Sequence, residues 1–178
     1  MTVAYQGVPG AFGHAACTMF VPGHDTIAKP TPAAVLAAVA SGETTYGVLP
    51  VENSIAGPVH DVADLLLGCS LPSAMHDMPV RMHLLARAGT ELASIVRVVS
   101  HPVGLAQCAA TLRSLGVVTE DASNTAIAAK ALAANGDATT AVLASEAAAA
   151  TYGLHILCRD MQDRPDNVTR FCVLGPRG

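Results

Sequence analysis

The feature that most constrains the fold is an alternation of short apolar, strand-like runs with Ala-rich segments that carry helix start and stop signals. The first such run, Val3–Gln6, leads through a Gly-rich turn into a helix-like segment, and the same succession recurs along the chain. Repeated strand–helix units predict an α/β architecture with largely parallel sheets. Ligand sites in such folds lie at the carboxyl ends of strands, often between lobes.

The pattern predicts both kinds of element throughout the chain. Strands are expected at Val3–Gln6, Tyr46–Pro50, Arg81–Ala86, Ser94–Val99, Ala141–Leu143, His155–Leu157 and Thr169–Leu174. Helices are expected at Ala11–Met19, Pro32–Ala40, Val59–Leu67, Pro102–Leu115, Thr125–Ala134 and Ser145–Tyr152. Thr31 and Asn124 precede two of these helices as expected N-terminal caps. Two lobes are expected, residues 1–75 with 160–178 and residues 76–159, because the last strand can return to the first lobe.

Composition excludes several classes of protein. The chain is 51% hydrophobic and 13% charged, which favours a well-buried core over disorder. Its net charge is −4, and its ten basic residues form no basic run, so nucleic-acid binding is not expected. No signal peptide or membrane-spanning stretch is expected. The five cysteines are widely spaced without a metal-ligand pattern, so we expect buried free thiols and a cytoplasmic location.

A short segment near the end of the chain, Asp166–Phe171, sets a hydroxyl beside a guanidinium. In a strand, Thr169 and Arg170 would point to opposite faces, whereas in an irregular turn both could point into one cavity. Arginine is the preferred two-pronged clamp for a carboxylate, and a buried threonine hydroxyl can donate one hydrogen bond to a leaving oxygen. The alternative is an ordinary edge strand with polar residues.

Four further segments place polar residues between a predicted strand and a predicted helix. They are Gly7–Gly13, Glu52-Asn53-Ser54, Ser100-His101 and Asn124-Thr125. Taken singly, Asn53 or Ser54, and Ser100 or His101, need do no more than cap a helix. Together with Asp166–Phe171, the four segments predict one polar pocket at several helix N-termini, where a ligand that carries carboxylates is favoured.

Taken in order, these segments resemble the catalytic domain of prephenate dehydratase over nearly the whole chain. The most specific blocks are Glu52-Asn53-Ser54-Ile55-x-Gly57, Ser100-His101-Pro102 and Asn167-x-Thr169-Arg170-Phe171. The resemblance implies a two-lobed, type II periplasmic-binding-protein-like fold with the active site in the cleft between the lobes. It also implies a lyase of phenylalanine biosynthesis that converts prephenate into phenylpyruvate, carbon dioxide and water.

The resemblance also implies roles for particular residues. The implied catalytic residues are Thr169, Arg170, Asn53 and Ser54. Thr169 would act as the general acid for the departing ring hydroxyl, and Arg170 would bind a substrate carboxylate or orient the pocket. The implied substrate-binding residues are Gly10, Ala11, Phe12, Glu52, Ser100, His101, Asn124, Thr125, Asn167 and Phe171. No metal or organic cofactor is implied, a homodimer or higher homo-oligomer is expected, and no ACT regulatory domain is expected.

The chain departs from the family pattern at several positions near the expected pocket. Gly10-Ala11-Phe12-Gly13 lacks two hydroxyls that the family has there, and Val103-Gly104 replaces the usual Gln-Ala. Three alternatives therefore stay open: a decarboxylase that leaves the ring non-aromatic, an arogenate dehydratase, and a non-catalytic module that binds a small carboxylate. Retention of Thr169 favours the dehydratase.

Overall fold

The computed structural model describes residues 1–69, 71 and 73–175, which divide into two compact units. Unit 1 comprises Met1–Val8, Phe12–Val80 and Asp166–Gly178, and unit 2 comprises Pro9–Ala11 and Arg81–Pro165. The chain therefore changes unit after Val80 and after Pro165, a few residues later than the expected boundaries after 75 and 159. Residues 176–178 of the expected first lobe lie outside the described residues.

Unit 1 is a mixed sheet with helices on both faces. Its strands are β1 (Thr2–Gln6), β2 (Asp25–Lys29), β3 (Tyr46–Asn53), β4 (Gly57–Pro58), β5 (Ser73–Pro79) and β11 (Val168–Leu174). Its helices are α1 (Phe12–Phe20), α2 (Pro32–Ala40) and α3 (His60–Leu67). The strand order is β2-β1-β3-β11-β5, with β4 paired to β3. β1 is parallel to β2 and β3, whereas β11 is antiparallel to β3 and β5.

Each face of this sheet has its own core because side chains alternate along a strand. Tyr5 and Phe171 are buried in a cluster that includes residues of α1. Leu49 packs on the opposite face with Val35 of α2 and Val62 of α3. Thr31 caps α2, since its hydroxyl accepts a hydrogen bond from the third residue of that helix, as expected.

Unit 2 is a second mixed sheet. Its strands are β6 (His83–Ala86), β7 (Arg97–Ser100), β8 (Val118–Asp121), β9 (Thr140–Ala144) and β10 (His155–Cys158). Its helices are α4 (Pro102–Gln107), α5 (Ala109–Leu115), α6 (Thr125–Asn135) and α7 (Glu146–Tyr152), with one 3-10 turn at Leu92–Ser94. The strand order is β10-β6-β9-β7-β8, in which β9, β7 and β8 are parallel neighbours. Leu85, Leu132 and Val142 lie in the core that includes residues of α6 and α7.

The expectation of largely parallel sheets is wrong. β11 enters the sheet of unit 1 antiparallel to both of its neighbours, and β6 is antiparallel to β9 and β10 in unit 2. The periodicity of a strand specifies its burial but carries no information on its direction. The helices between strands favour a parallel arrangement, but these connections do not decide the direction of a strand that returns from another unit.

The sequence pattern also missed β2, β5 and β8. All three are edge strands, and in β8 every side chain is exposed. An edge strand with few buried side chains has no strong apolar alternation, so its hydrogen bonds are visible only in three dimensions. The expected strand Ser94–Val99 is shorter for a related reason, since the 3-10 turn occupies its start.

The single helix expected over Pro102–Leu115 is two helices that meet at Cys108. The carboxylate of Asp163 accepts hydrogen bonds from the backbone N–H groups of Ala110 (2.9 Å) and Thr111 (3.0 Å). Asp163 therefore caps the second helix from a position far along the chain, which no local pattern could predict. Among the described residues, no helix has the length and apolar character needed to cross a bilayer.

Candidate active site

A polar cluster in unit 1 is organised around the side-chain amide of Asn53, the last residue of β3. Its Oδ1 accepts hydrogen bonds from the backbone N–H groups of Ile55 (3.0 Å) and Ala56 (2.9 Å). Its Nδ2 donates to Asn167 Oδ1 (2.8 Å) and to Thr169 Oγ1 (2.9 Å). The structure thus brings together three residues that the sequence analysis assigned to the site.

The orientation of this amide determines where the Thr169 hydroxyl hydrogen points. A backbone N–H can only donate, so the amide atom that meets two such groups must be the oxygen. The other amide atom is then the nitrogen, which donates to Thr169 Oγ1. Thr169 uses a lone pair in this contact, and no acceptor among the described residues takes its hydrogen. The half-buried hydroxyl is therefore available as a donor to a ligand.

Ser54 holds the start of β11 in place. Its Oγ donates to the carbonyl oxygen of Asp166 (2.9 Å) and accepts from the backbone N–H of Val168 (3.0 Å). The alternative interpretation of Asn53 or Ser54 as a helix cap is wrong, because α3 begins several residues later without any side-chain cap. The Ser54 hydroxyl therefore uses both its hydrogen and a lone pair in hydrogen bonds to the backbone of β11 and the residue before it.

Arg170 lies on the opposite face of β11 from Thr169, because the segment is a regular strand against β5. Its guanidinium donates to both carboxylate oxygens of Asp77, at 2.8 and 3.1 Å. This hydrogen bond lowers the pKa of Asp77 and raises the pKa of Arg170. Glu52, an exposed residue of β3, lies opposite Arg170 in the strand register, and its charge adds to the rise in the pKa of Arg170. The irregular-turn alternative, with both side chains in one cavity, is wrong.

Three residues expected to bind substrate are almost fully buried. Phe171 is 1% exposed and its ring centroid lies 6.2 Å from that of Phe20, so it is a core residue. Asn167 is also 1% exposed and supports Asn53 from within the fold. Ser100 is inaccessible, and its hydroxyl donates to the carbonyl oxygen of Leu143 (2.7 Å). The geometry supports packing and positioning roles for these three, in place of direct contact with a ligand.

In unit 2, three parallel strands end side by side, and each leads into a capped helix. His101 Nδ1 accepts from the N–H of Val103 (3.2 Å) at the start of α4. Asn124 Oδ1 accepts from the N–H of Ala126 (2.8 Å) at the start of α6. Ser145 caps α7 in the same way. The capping interpretation is therefore confirmed for His101 and wrong for Ser100.

These caps leave hydrogen-bond donors available. Because His101 Nδ1 accepts a hydrogen bond, the neutral ring carries its hydrogen on Nε2. Asn124 uses its oxygen for the helix, so its NH₂ group can donate elsewhere. Thr125 lies beside Gly104. A Cβ added at Gly104 would come within 3.7 Å of the Thr125 methyl carbon and 3.2 Å of Ser100 Oγ. Donors at the carboxyl ends of adjacent strands suit a ligand that carries a carboxylate.

The Gly-rich turn is held by its carbonyl groups. Gly10 has a φ of +83°, and a Cβ there would lie 2.9 Å from the Cα of Ala148. Its carbonyl oxygen accepts from Ser145 Oγ (2.7 Å), and the carbonyl oxygen of Pro9 accepts from the Tyr152 hydroxyl (2.7 Å). Only glycine fits this combination of left-handed backbone and close approach.

The two residues after this glycine complete the turn. Ala11 is 7% exposed, and Phe12 begins α1 and is partly buried against the core of unit 1. Sequence reasoning did not find the residues that fix these loops: Ser145, Tyr152, Asp77 and Asp163. None of them belongs to a motif, and their partners are distant in sequence. Within the described part of the chain, no three His, Cys, Asp or Glu side chains form a group that could hold a metal ion.

A sequence model of the family described as prephenate dehydratase matches residues 3–178. The chain belongs to the prephenate dehydratase family. The match spans both units, and it confirms the resemblance drawn from the Asn53, Ser100 and Thr169 blocks.

Curated relatives of this prephenate dehydratase family member include plant enzymes. One is arogenate dehydratase/prephenate dehydratase 2, chloroplastic, of Arabidopsis thaliana, which is 42% identical over 173 residues. Another is arogenate dehydratase 1 of Petunia hybrida, which is 42% identical over 177 residues. The alignments cover 97% and 98% of this chain but only 45% and 42% of these relatives. The chain thus spans less than half the length of the curated relatives it matches.

Solved structures of other proteins have the same fold. A prephenate dehydratase from Arthrobacter aurescens in complex with L-Phe superposes with a TM-score of 0.88 at 30% identity, covering 100% of this chain and 61% of that one. GqqA, described as a novel type of quorum-quenching acylase, superposes with a TM-score of 0.91 at 35% identity, covering 100% of this chain and 65% of that one. Both comparisons confirm the expected α/β fold for the whole chain.

Proposed function

We propose that this chain carries out the dehydratase reaction of its family on prephenate, arogenate or both. In this reaction the bond from the ring to the carboxylate breaks, carbon dioxide leaves, and its electron pair enters the ring. The ring hydroxyl departs from the opposite carbon, takes up a proton and leaves as water. Aromatisation drives the reaction, so the enzyme needs mainly to hold the carboxylates and to help the hydroxyl leave.

The observation that carries the proposal is the direction of the Thr169 hydroxyl. Asn53 Nδ2 donates to Thr169 Oγ1, which reserves the hydroxyl hydrogen for the leaving oxygen of the substrate. A threonine hydroxyl is a weak acid in water, so it contributes only when it is positioned before the reaction begins. The Asn53 contact supplies this positioning, while Asn167 and Ser54 hold Asn53 and the start of β11.

For Arg170, of the two expected roles, the exposed pair with Asp77 favours orientation of the pocket over a direct hold on a substrate carboxylate. We propose instead that carboxylate recognition draws on the donor groups of His101 and Asn124, with Thr125 beside them. Binding roles for Gly10, Ala11, Phe12 and Glu52 remain proposals. Phe12→Ala and Glu52→Gln test two of these roles through their effect on KM.

An amide-hydrolase activity, as the description of GqqA suggests for that protein, gains no support from this cluster. A threonine nucleophile requires a base that takes its proton. Among the described residues, the side-chain partner of Thr169 is the Asn53 amide nitrogen, which is a donor and cannot accept that proton. A binding module that uses the Thr169 hydroxyl only as a hydrogen-bond donor would bind the substrate without forming product.

The decisive experiment is incubation of the purified chain with prephenate and, separately, with arogenate. Phenylpyruvate is followed by the absorbance of its enolate in alkali, and phenylalanine from arogenate by chromatography. We expect aromatic product from the wild type and a loss of about 10²–10⁴-fold in kcat for Thr169→Ala, with substrate binding retained. Substrate consumption without an aromatic product would indicate the decarboxylase, and unchanged turnover in Thr169→Ala would refute the assigned role.

The homodimer and the cytoplasmic location also remain proposals. The names of several plant relatives place those proteins in the chloroplast. The mass measured by light scattering during size-exclusion chromatography of the purified chain tests the homodimer.

A further inference from the structure

An apolar groove of about 380 Å³ lies in unit 2, between the helix pair α4 and α5 and the edge strand β8. Leu105 of α4 and Leu112 of α5 line it with side chains that are 8% and 2% exposed. Ala106 and Ala109 line it as well, and their short side chains leave space that longer ones would fill. The volume falls within the range of small-molecule sites, about 300–1,000 Å³.

The groove borders a strand that the helices leave open. All four side chains of β8 are exposed, although its backbone pairs with β7. Helix α5 follows α4 after the break at Cys108, and the carboxylate of Asp163 holds the start of α5. The cavity is therefore a fixed feature of the fold, bounded by a capped helix on one side and a strand on the other.

The rim of the groove contains a guanidinium that has no partner. Arg113, in the last turn of α5, is exposed and lines the groove. Within the described part of the chain it forms no ion pair and no side-chain hydrogen bond. Asp163 attracts it only from a distance, because the oxygens of that carboxylate accept from Ala110 and Thr111. The positive charge of Arg113 is thus left for a ligand.

Other arginines of unit 2 are engaged with the protein itself. Three form ion pairs with carboxylates and a fourth donates to a backbone carbonyl oxygen, in the order Arg81, Arg97, Arg159 and Arg87. Thr119 of β8 also lines the groove, and its hydroxyl has no hydrogen-bond partner among the residues that the structure describes. One guanidinium and one hydroxyl therefore border an apolar floor.

We propose that this groove binds a small apolar carboxylate. The carboxylate accepts from Arg113 and Thr119, and the hydrocarbon body covers Leu105 and Leu112. A guanidinium matches the two oxygens of a carboxylate, and burial of the hydrocarbon body is favourable in water. An amine of the same shape is disfavoured, because its positive charge would face that of Arg113. None of the residues in the proposed dehydratase site lines the groove, so the proposal does not depend on that activity.

Titration of the ¹⁵N-labelled chain with 3-phenylpropionate, followed by two-dimensional NMR, tests the proposal. We expect saturable shifts of the backbone signals of Ala106, Ala109 and Thr119. The titration extends to about 10 mM, which covers the weakest specific binding expected for a ligand of this size. The neutral amide of the same acid should bind about tenfold more weakly, because it cannot form a charge-assisted pair with Arg113.

Arg113→Gln tests the charged part of the site. It should weaken the binding of 3-phenylpropionate about tenfold and leave the binding of the amide unchanged, since only the carboxylate uses the charge. Arg159→Gln is the matched control, because Arg159 is an exposed arginine of the same unit that does not line the groove. This control should bind both compounds as the wild type does.

Ala106→Phe tests the apolar part of the site. Ala106 is exposed, so a ring at this position can occupy the groove without entering the core, and it should abolish the binding of both compounds. Ala110→Phe, also at an exposed position but outside the lining, should leave binding unchanged. Far-ultraviolet circular dichroism and thermal unfolding confirm that all four variants are folded.

The probe can also enter the proposed active site, and the signals of His101 and Asn124 report that event separately. Shifts confined to those two residues would overturn the proposal, as would the absence of shifts at about 10 mM. Binding that is unchanged in both Arg113→Gln and Ala106→Phe would overturn it too. Because the readout is binding, a failure of the proposed dehydratase activity would leave the result intact.

Discussion

The substitution Asn53→Asp offers the sharpest test of the hydroxyl argument, because it changes one atom and keeps the shape. The retained oxygen still accepts from the two backbone N–H groups of the following turn. The former nitrogen becomes a carboxylate oxygen, which faces Thr169 Oγ1 at 2.9 Å. The Thr169 hydroxyl must then donate its hydrogen to this oxygen, and it is lost as a donor to substrate.

The magnitude follows from the contacts that change. Loss of the positioned donor should lower kcat about 10²–10⁴-fold, the range of a general acid. The new oxygen also opposes Asn167 Oδ1 and the Val168 carbonyl oxygen, which previously accepted from the amide. Two hydrogen bonds are lost and the new oxygen faces two acceptor oxygens, so the free energy of unfolding should fall by about 2–4 kcal/mol. A domain of ordinary stability survives this loss.

The assay is a double-mutant cycle on product formation. If Asn53 acts through Thr169, then Asn53→Asp should lower kcat no further in a Thr169→Ala background. Ser54→Ala serves as the control, because it removes structural contacts of β11 without altering the direction of the hydroxyl. Additive losses in the double variant, or near-wild-type turnover in Asn53→Asp, would refute the reasoning.

Three further outcomes are expected. Arg170→Lys should keep kcat/KM within about threefold, since its partner Asp77 is exposed and on the face away from the hydroxyl; a loss comparable to that of the general acid would contradict this. Because the hydrogen bond from Arg170 lowers the pKa of Asp77, the stabilisation from this pair is complete above pH 3.8, the ordinary pKa, and is lost as pH falls below it. Urea unfolding of the wild type and Arg170→Lys at pH 3–6 measures this loss. Burial lowers the pKa of His83, so its contribution to stability is complete above 6.5 and declines in more acidic solution; flat stability from pH 7.5 to 5 would argue otherwise. Gly10→Ala should destabilise more than Gly42→Ala, because both have positive φ but only Gly10 also meets a close neighbour, and equal melting temperatures would show that the contact is unimportant.

Local signals in the sequence predicted the elements that depend on local physics. Helix α2 lies where the cap Thr31 and the following proline placed it, and Asn124 caps α6 with its side-chain oxygen. Strands β1 and β9 were predictable because a short, continuous apolar run bounded by turn residues is typical of a strand buried on both faces. The Thr169 block also indicated the family, which the family match confirms.

Other features depend on partners that are distant in the chain. Asp163 caps the helix that begins after the break at Cys108, and the edge strands β2, β5 and β8 are defined by hydrogen bonds to neighbouring strands more than by their own side chains. A one-dimensional pattern records burial and backbone preference, but it holds no information on which distant group supplies a missing hydrogen bond.

The adjacent residues Thr169 and Arg170 show the same division. The sequence alone determined that a hydroxyl and a guanidinium are adjacent in the chain, and the motif that contains them indicated the family of the protein. Only the tertiary structure decided that they face opposite sides of β11, because the ladder to β5 makes the segment a regular strand. The tertiary structure also decided the direction of the Thr169 hydroxyl hydrogen. Two backbone N–H groups fix the orientation of the Asn53 amide, so its NH₂ group donates to the Thr169 oxygen and leaves the hydroxyl hydrogen for another acceptor.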